Sequence, residues 1–148
     1  SRGLGDVYKR QKYDHQIEAA HELGAGELTG KYDRVIDCVG NDQTLSLSTK
    51  TAKPGSWIVI LGIPMQGINL PGLRVIMNEI KICPSILYSS TDGVKDFTIA
   101  AKVLSRYPEI GKKIITHRFR LDEAEEAFAI AGDKNSKSIK VVFDPSLT

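Results

Sequence analysis

The chain has 148 residues, a length that fits one domain or one domain and part of a second. Its net charge of +2 gives no basic surface for nucleic acid, and no run of about 18 apolar residues predicts a membrane span. Hydrophobic residues make up 41% of the sequence, which is enough for a buried core. No secretory signal is visible, and both cysteines lie in apolar stretches, so we predict a cytoplasmic protein with reduced, packed thiols.

The first eleven residues carry no pattern of secondary structure. Residues 1–11, SRGLGDVYKRQ, show neither a helical nor a strand period. They are similar to the short translated adapter tails seen at the ends of assembled environmental sequences. We therefore predict that they form a non-native tail, and we leave them out of the fold prediction.

Strands and helices alternate through the first half of the chain. The predicted elements are a helix from about 13 to 23, a strand at 32–39, a helix at about 42–51, a turn at 53–55 and strands at 57–61 and 79–83. Asp14 is the predicted N-cap of the first helix, with Gly24 just after its end. Asn41 or Asp42 caps the second helix. The continuous apolar run WIVIL, 57–61, predicts a strand covered by helices on both faces.

The second half continues this alternation. The predicted elements are a helix at about 93–106, a strand at 113–119, a helix from about 124 to 132 and a strand at 138–143. Asp92 is the predicted cap of the first of these helices, with Phe97 and Leu104 facing inward. Asp122 and Glu125 have the spacing of a capping box for the second.

This order of elements predicts an α/β fold with a doubly wound parallel sheet. The strands near 33–38, 57–61 and 79–83 should be neighbours in that sheet. Ligands of such sheets bind beyond the carboxyl ends of the strands, so the turns Val39-Gly40 and Gly62-Ile63-Pro64 should lie side by side there. Glycine lets a flat ligand approach the backbone, and we expect a mostly apolar groove.

The stretch YDRVIDCVGNDQTLSLSTKTAKPGSWIVILGIP, 32–64, resembles the nucleotide-binding domain of zinc-type medium-chain alcohol dehydrogenases, the superfamily of threonine, sorbitol and butanediol dehydrogenases. IEAAHELGA, 17–25, is similar to the family's helix after the second strand, and NEIKI, 78–82, to its last cofactor-domain strand. Residues 117–145 resemble its C-terminal return into the catalytic domain. The resemblance covers nearly everything from residue 12 onward.

The resemblance implies a domain organisation and an activity. Residues 12–112 would be a partial Rossmann-like dinucleotide-binding domain without its first strand and Gly-rich turn, and residues 113–148 a C-terminal segment of the catalytic domain. The chain would be the C-terminal fragment of a zinc-dependent oxidoreductase that transfers a hydride between an alcohol or ketone and NAD or NADP. It would be inactive alone, because its histidines and cysteines lack the spacing of zinc ligands.

The same resemblance implies a set of cofactor-binding residues and no catalytic or metal-binding residue. Adenosine would pack near Val39 and Gly40, and the nicotinamide ribose near the next turn. The full implied set is Cys38, Val39, Gly40, Gly62, Ile63, Pro64 and Ser85. Ser85 is included because Pro84 lacks an N–H, so a backbone donor to the nicotinamide amide must come from Ser85 or beyond. The intact enzyme would be a homo-oligomer that binds neither nucleic acid nor membrane.

Several alternatives stay open at the level of sequence. A class I methyltransferase has a similar strand–KPG–strand pattern, but it ends in an antiparallel hairpin; a short loop, a helical turn and a parallel edge strand over 65–82 would favour the dehydrogenase. A non-catalytic module that dimerises through 79–87 is the other alternative. Asp37 is either an orienting group beside the cofactor or a buried carboxylate satisfied by backbone donors. Cys38 is predicted to be a core residue.

Overall fold

The computed structural model describes residues 8–9, 13–64, 67–86 and 88–147. In chain order, its strands and helices are β1 (Tyr8–Lys9), α1 (Asp14–Glu22), β2 (Gly26–Glu27), β3 (Tyr32–Asp37), α2 (Asp42–Thr51), β4 (Ala52–Ile60), α3 (Gly72–Met77), β5 (Lys81–Pro84), β6 (Ser90–Thr91), β7 (Val94–Lys95), α4 (Asp96–Arg106), α5 (Pro108–Ile114), β8 (Ile115–Phe119), α6 (Ala124–Gly132) and β9 (Lys140–Phe143). Two short 3₁₀ helices, Leu121–Glu123 and Lys134–Ser136, flank α6. None of the helices in these ranges combines the length and the apolar composition needed to cross a membrane.

The chain divides into two compact units. The sheet unit runs from Thr29 to Ser89 and contains β3, α2, β4, α3 and β5. The terminal unit combines the described residues up to Leu28 with those from Ser90 onward. The predicted domain boundaries at residues 12 and 113 refer to two domains of a longer enzyme, and they stay predictions.

The sheet unit is built on a three-stranded parallel sheet with the order β3-β4-β5. Asp37 at the end of β3 pairs with Ile60, and Ile60 pairs with Pro84 at the end of β5. All three strands therefore end at the same edge of the sheet. This arrangement confirms the predicted α/β fold and the predicted neighbours.

One face of this sheet holds the core, and the other is exposed. The core residues are Leu45, Ala52, Ile58, Ile60 and Ile80, with Val35, Ile68, Val75 and Ile82 packed against them. On the opposite face, Ile36 is 62% exposed and Trp57 is 39% exposed. The prediction that 57–61 is covered on both faces is therefore wrong for the described residues. Burial alternates along β4, because α2 and α3 supply their core side chains to one face only.

The predicted turn KPG lies inside β4. The strand begins at Ala52, and the three residues of β3 from Tyr32 to Arg34 lie opposite the six residues of β4 from Ala52 to Trp57. The three extra residues form an irregular bulge, in which Gly55 has φ +72°. A sequence that looks like a turn between two elements is thus an irregularity within one strand.

The helix ends follow local signals in one case and depart from them in another. Asn41 caps α2: its side chain accepts from the Thr44 N–H at 2.9 Å, and the Thr44 hydroxyl accepts from the Asn41 N–H at 3.1 Å. The predicted bounds of this helix are confirmed. In α1 the N-cap position is Tyr13, and Asp14 lies in the first turn, so the predicted Asp14 cap is wrong. Gly24 has φ +88°, as its predicted place after the helix requires.

In the terminal unit, Asp92 and Gly93 form a hairpin turn instead of a helix start. Both have positive φ, 51° and 76°, and they join the antiparallel strands β6 and β7. Asp-Gly is a strong signal for such a two-residue turn, so the predicted helix cap at Asp92 is wrong. The helix α4 begins only at Asp96, and Phe97 and Leu104 are 61% and 47% exposed instead of facing inward. No residue of α4 is buried among the described residues.

The end of the terminal unit pairs β8 with β9 in parallel. Residues 113–114 belong to α5, a helix that the sequence analysis did not identify, so β8 is shorter than predicted. The Glu123 carboxylate accepts from the Arg120 N–H at 2.7 Å, and Asp122 bonds the Arg120 guanidinium. The predicted capping box of Asp122 and Glu125 is therefore wrong, because Asp122 is engaged by the arginine before it.

The N-terminal tail contributes one short strand. Tyr8 and Lys9 pair in parallel with Gly26 and Glu27. Leaving all of residues 1–11 out of the fold was therefore wrong for these two. The other residues of the tail lie outside the described ranges, and their non-native origin stays a prediction.

Candidate functional site

Two backbone turns meet at the carboxyl edge of the parallel sheet. One follows β3 at Val39-Gly40, and the other follows β4 at Leu61-Gly62. The Asp37 carbonyl oxygen accepts from the Leu61 N–H at 2.8 Å and from the Gly62 N–H at 3.2 Å. The turns therefore lie side by side, as the strand ends predicted.

The contact between these turns explains why both contain glycine. A Cβ on Gly40 would lie 2.6 Å from the Gly62 carbonyl oxygen, and a Cβ on Gly62 would lie 2.1 Å from the Val39 carbonyl carbon. Gly40 also has φ +72°, which L side chains rarely adopt. The glycines are thus required by backbone packing, with or without a ligand. Substituting Gly40 by valine would disturb the fold itself, so it cannot separate binding from folding.

A single residue, Asp37, holds both turns. Its side chain is 4% exposed, and Oδ1 accepts from the Val39 N–H at 3.0 Å and the Gly40 N–H at 2.9 Å. Its carbonyl holds the second turn at Gly62. Oδ2 has no hydrogen-bond partner among the described residues. The interpretation of Asp37 as a buried carboxylate that binds neighbouring backbone donors is confirmed for Oδ1.

A cavity of about 820 Å³ opens beside the turns. Its volume lies within the range of roughly 300–1,000 Å³ that is common for small-molecule sites. The described residues that line it are Val39, Gly40, Asn41, Asp42, Gln43, Ile63, Pro64, Gly67, Ile68 and Asn69. Four predicted site residues, Val39, Gly40, Ile63 and Pro64, are thus brought together. Cys38, Gly62 and Ser85 are not among the described residues that line the cavity.

The lining is more polar than predicted. Asn41, Asp42, Gln43 and Asn69 contribute amide and carboxylate groups, so the expectation of a mostly apolar groove is wrong. The Asp42 carboxylate accepts from Asn69 twice, from the backbone N–H at 2.8 Å and from Nδ2 at 2.7 Å. These two hydrogen bonds, the backbone one first, hold the pKa of Asp42 below its usual value. Local sequence predicts only a capping role for Asp42, because its partner Asn69 is 27 residues away.

Two predicted residues have different surroundings from those expected. The Ser85 N–H donates to the Ile60 carbonyl oxygen at 2.9 Å, so it is engaged within the sheet and is not a free donor for a nicotinamide amide. Cys38 is exposed, so its predicted place in the core is wrong. It follows the exposed Ile36 by two residues and therefore continues the uncovered face of the sheet. The involvement of Cys38 and Ser85 in cofactor binding stays a prediction.

Comparison with known proteins defines the family. The sequence model of the zinc-binding dehydrogenase family matches residues 3–106. This match spans more than half of the chain, and the protein belongs to that family. The resemblance noted from the sequence is confirmed.

Two curated relatives illustrate this membership. The L-arabinitol 4-dehydrogenase of Aureobasidium melanogenum is 27% identical over 124 residues, which are 84% of this chain and 32% of that enzyme. The sorbitol dehydrogenase of Mus musculus is 27% identical over 119 residues, 80% of this chain and 32% of the enzyme. The chain thus spans about a third of the length of these relatives.

Solved structures of dehydrogenases share the fold. The 2R,3R-butanediol dehydrogenase of Bacillus subtilis matches with a TM-score of 0.79 and 20% identity over 97% of this chain and 45% of that one. A zinc-binding dehydrogenase of Sinorhizobium meliloti, bound to NADP, matches with a TM-score of 0.75 and 24% identity over 97% and 46%. At these identities the matches establish the fold alone.

The family name implies zinc, and the described residues do not fit it. Within the described ranges, no three or more histidine, cysteine, aspartate or glutamate side chains are grouped so that they could hold a metal ion. We therefore derive no step of the chemistry through zinc from these residues.

Proposed function

We propose that this chain is the C-terminal, cofactor-binding part of a zinc-dependent dehydrogenase that transfers a hydride between an alcohol, of the polyol class, and NAD or NADP. The observation that supports it most is the pair of interlocked turns beside a cavity at the carboxyl edge of a parallel sheet. The membership of the family and the names of the polyol dehydrogenases among its relatives support the reaction type.

In this proposal the chain binds the two nucleoside parts of the cofactor. Val39 and Gly40 contact the adenosine, and Gly62, Ile63 and Pro64 contact the nicotinamide ribose. Asp37 keeps the two turns in place through its carboxylate and its carbonyl. The nicotinamide supplies the hydride chemistry when it is bound.

The remaining parts of the reaction fall to the rest of a longer enzyme. Zinc ligands and the pocket for the alcohol or ketone belong, in this proposal, to segments outside this chain. A homo-oligomeric, cytoplasmic enzyme stays a prediction. The methyltransferase alternative finds no support: α3 and the parallel edge strand β5 follow the dehydrogenase pattern, and β8 pairs with β9 in parallel, not in an antiparallel hairpin.

A titration of the full chain with NAD tests the proposal. We expect weak binding, with dissociation constants of about a millimolar or more, because the sequence contains no Gly-rich turn to bind the pyrophosphate. The NMR amide signals that shift should belong to Gly40, Gly62 and Ile63. No turnover with sorbitol and NAD is expected. Turnover by this chain alone, or shifts that avoid all three residues, would contradict the proposal.

A matched pair of variants sharpens this test. Ile63 is 59% exposed and lines the cavity, whereas Leu73 is 78% exposed and does not. Ile63→Glu places a negative charge beside the proposed ribose site and should weaken NAD binding several-fold. Leu73→Glu makes the same chemical change elsewhere and should leave it within about twofold.

A further inference from the structure

The Asp42 carboxylate gives one wall of the cavity a fixed negative charge. Asp42 lies at the first position of α2, Asn69 lies in the segment that follows β4, and both residues line the cavity. Because both carboxylate oxygens accept from Asn69, at 2.8 and 2.7 Å, the carboxylate is held in one orientation. An exposed aspartate without such bonds would move freely among rotamers.

Among the described residues that line the cavity, none carries a positive charge to balance Asp42. Lysine, arginine and histidine are absent from its described lining, and residues 65–66, which lie outside the described ranges, are methionine and glutamine in the sequence. The bonds from Asn69 hold the pKa of Asp42 below its usual value, so the carboxylate is ionised near neutral pH. Any group that enters the cavity therefore meets a net negative charge.

The capping of α2 weakens the compensation that a helix start would give to this charge. A helix N-terminus ordinarily attracts anions through its free N–H groups and its dipole. Here the Thr44 N–H is already bound by the Asn41 side chain at 2.9 Å, and the Asp42 carboxylate supplies a negative charge in the first turn. A phosphate at this place would find one N–H donor of the helix already occupied and would be repelled by the carboxylate.

We infer that Asp42 is a specificity-determining residue, which makes this cavity select an uncharged nucleoside group over a phosphate-bearing one. The inference rests on the proposed function and adds to it the chemical class of the group that the cavity accepts. For a dinucleotide, it places a nucleoside in the cavity and the pyrophosphate outside it. Asn69 is the positioning residue that aims the carboxylate.

Adenosine and adenosine 5′-monophosphate are the probes, because they differ only by the phosphate. Each is titrated into the full chain at low ionic strength, and the amide signals of Gly40 and Gly67 are followed by NMR. The wild-type chain should bind adenosine more tightly. Asp42→Asn should tighten the monophosphate by about three- to fivefold and change adenosine by less than twofold, the size expected for one nearby charge in water. Added salt should shrink this difference.

Two control variants separate charge at the cavity from other effects. Asp33→Asn removes the same charge near the opposite end of β3, where Asp33 pairs with Lys53 at 2.9 Å, and it should leave the preference unchanged. Asn69→Ala keeps the charge but frees the carboxylate; adenosine should still bind more tightly than the monophosphate, by a reduced ratio. Thermal unfolding checks that each variant is folded.

The outcomes of this test separate a failure of the Asp42 inference from a failure of the proposed function. If Asp42→Asn leaves the preference as in the wild type, or if Asp33→Asn changes it equally, Asp42 does not determine specificity and the inference is overturned, while the nucleoside site stands. If neither probe shifts Gly40 or Gly67, both the inference and the proposed nucleoside site are overturned.

Discussion

The sheet unit and the terminal unit bury different kinds of side chain. In the sheet unit, Leu45 and Ile58 are fully buried and Ile60 nearly so. Among the described residues of the terminal unit, the buried hydrophobic residues are all alanines, namely Ala19, Ala20 and Ala127. Burying a large aliphatic side chain contributes about 1.5–3 kcal/mol, and a methyl group far less. The unit that carries the candidate site is therefore the one with a substantial core of its own.

The terminal unit instead exposes large apolar side chains. Phe97 and Phe128 are 61% and 73% exposed, although both lie on helices that are amphipathic in sequence. In this unit an amphipathic helix can therefore leave its large apolar side chains exposed and bury only an alanine. From this difference we expect substitutions in the sheet unit to affect stability much more than chemically similar ones in the terminal unit.

The largest expected effect is that of Ile58→Ala, which removes a fully buried side chain from β4. It should lower the free energy of unfolding of the sheet unit by about 2–5 kcal/mol. The chain has a single tryptophan, Trp57, which lies in β4 and reports on this unit during urea denaturation. Leu121→Ala in the terminal unit, where Leu121 is 77% exposed, should leave the Trp57 transition within about 0.5 kcal/mol. Equal shifts of the Trp57 transition in the two variants would contradict the difference in core packing between the two units.

A smaller effect is expected for Gly62→Ala, which tests the contact between the turns. The added Cβ would lie 2.1 Å from the Val39 carbonyl carbon, so the backbone must shift, at a cost of about 1–3 kcal/mol. Gly72→Ala is the matched control in the same unit, since a Cβ there meets nothing within 4 Å. It should be neutral or slightly stabilising. If Gly62→Ala unfolds at the wild-type urea concentration, the turns are not packed as described.

The smallest expected effect concerns the cap of α2. Asn41→Ala removes the acceptor for the Thr44 N–H and should cost about 1 kcal/mol. Asn41→Ser retains a capping oxygen and should recover most of that loss. Hydrogen exchange of the Thr44 amide should quicken in the alanine variant and return toward the wild-type rate in the serine variant. An unchanged rate in Asn41→Ala would show that the cap does not stabilise the helix.

The parts of the fold that local signals determine were predictable from the sequence. The apolar runs of β3 and β4 and the Asn41 cap each lie within a few residues, and the bounds of α2 followed from them. The meeting of Gly40 and Gly62 was also predictable, because adjacent parallel strands end at one edge. The reason for these glycines was not, since it depends on the distance between two backbones.

Features that depend on distant partners escaped prediction. The polar wall of the cavity requires Asp42 and Asn69, which are 27 residues apart, to meet. The exposure of Ile36 and Cys38 could not be inferred, because an apolar strand has the same sequence whether one face or both are covered. At Asp92-Gly93 the local signal was present, but a cap and a hairpin turn both favour aspartate.

Asp37 couples the two turns, because it forms hydrogen bonds with both of them. Its carboxylate binds the turn after β3 and its carbonyl binds the turn after β4, and the two groups are connected through the Cβ and Cα atoms of one residue. A displacement of either turn is therefore transmitted to the other through a few covalent bonds.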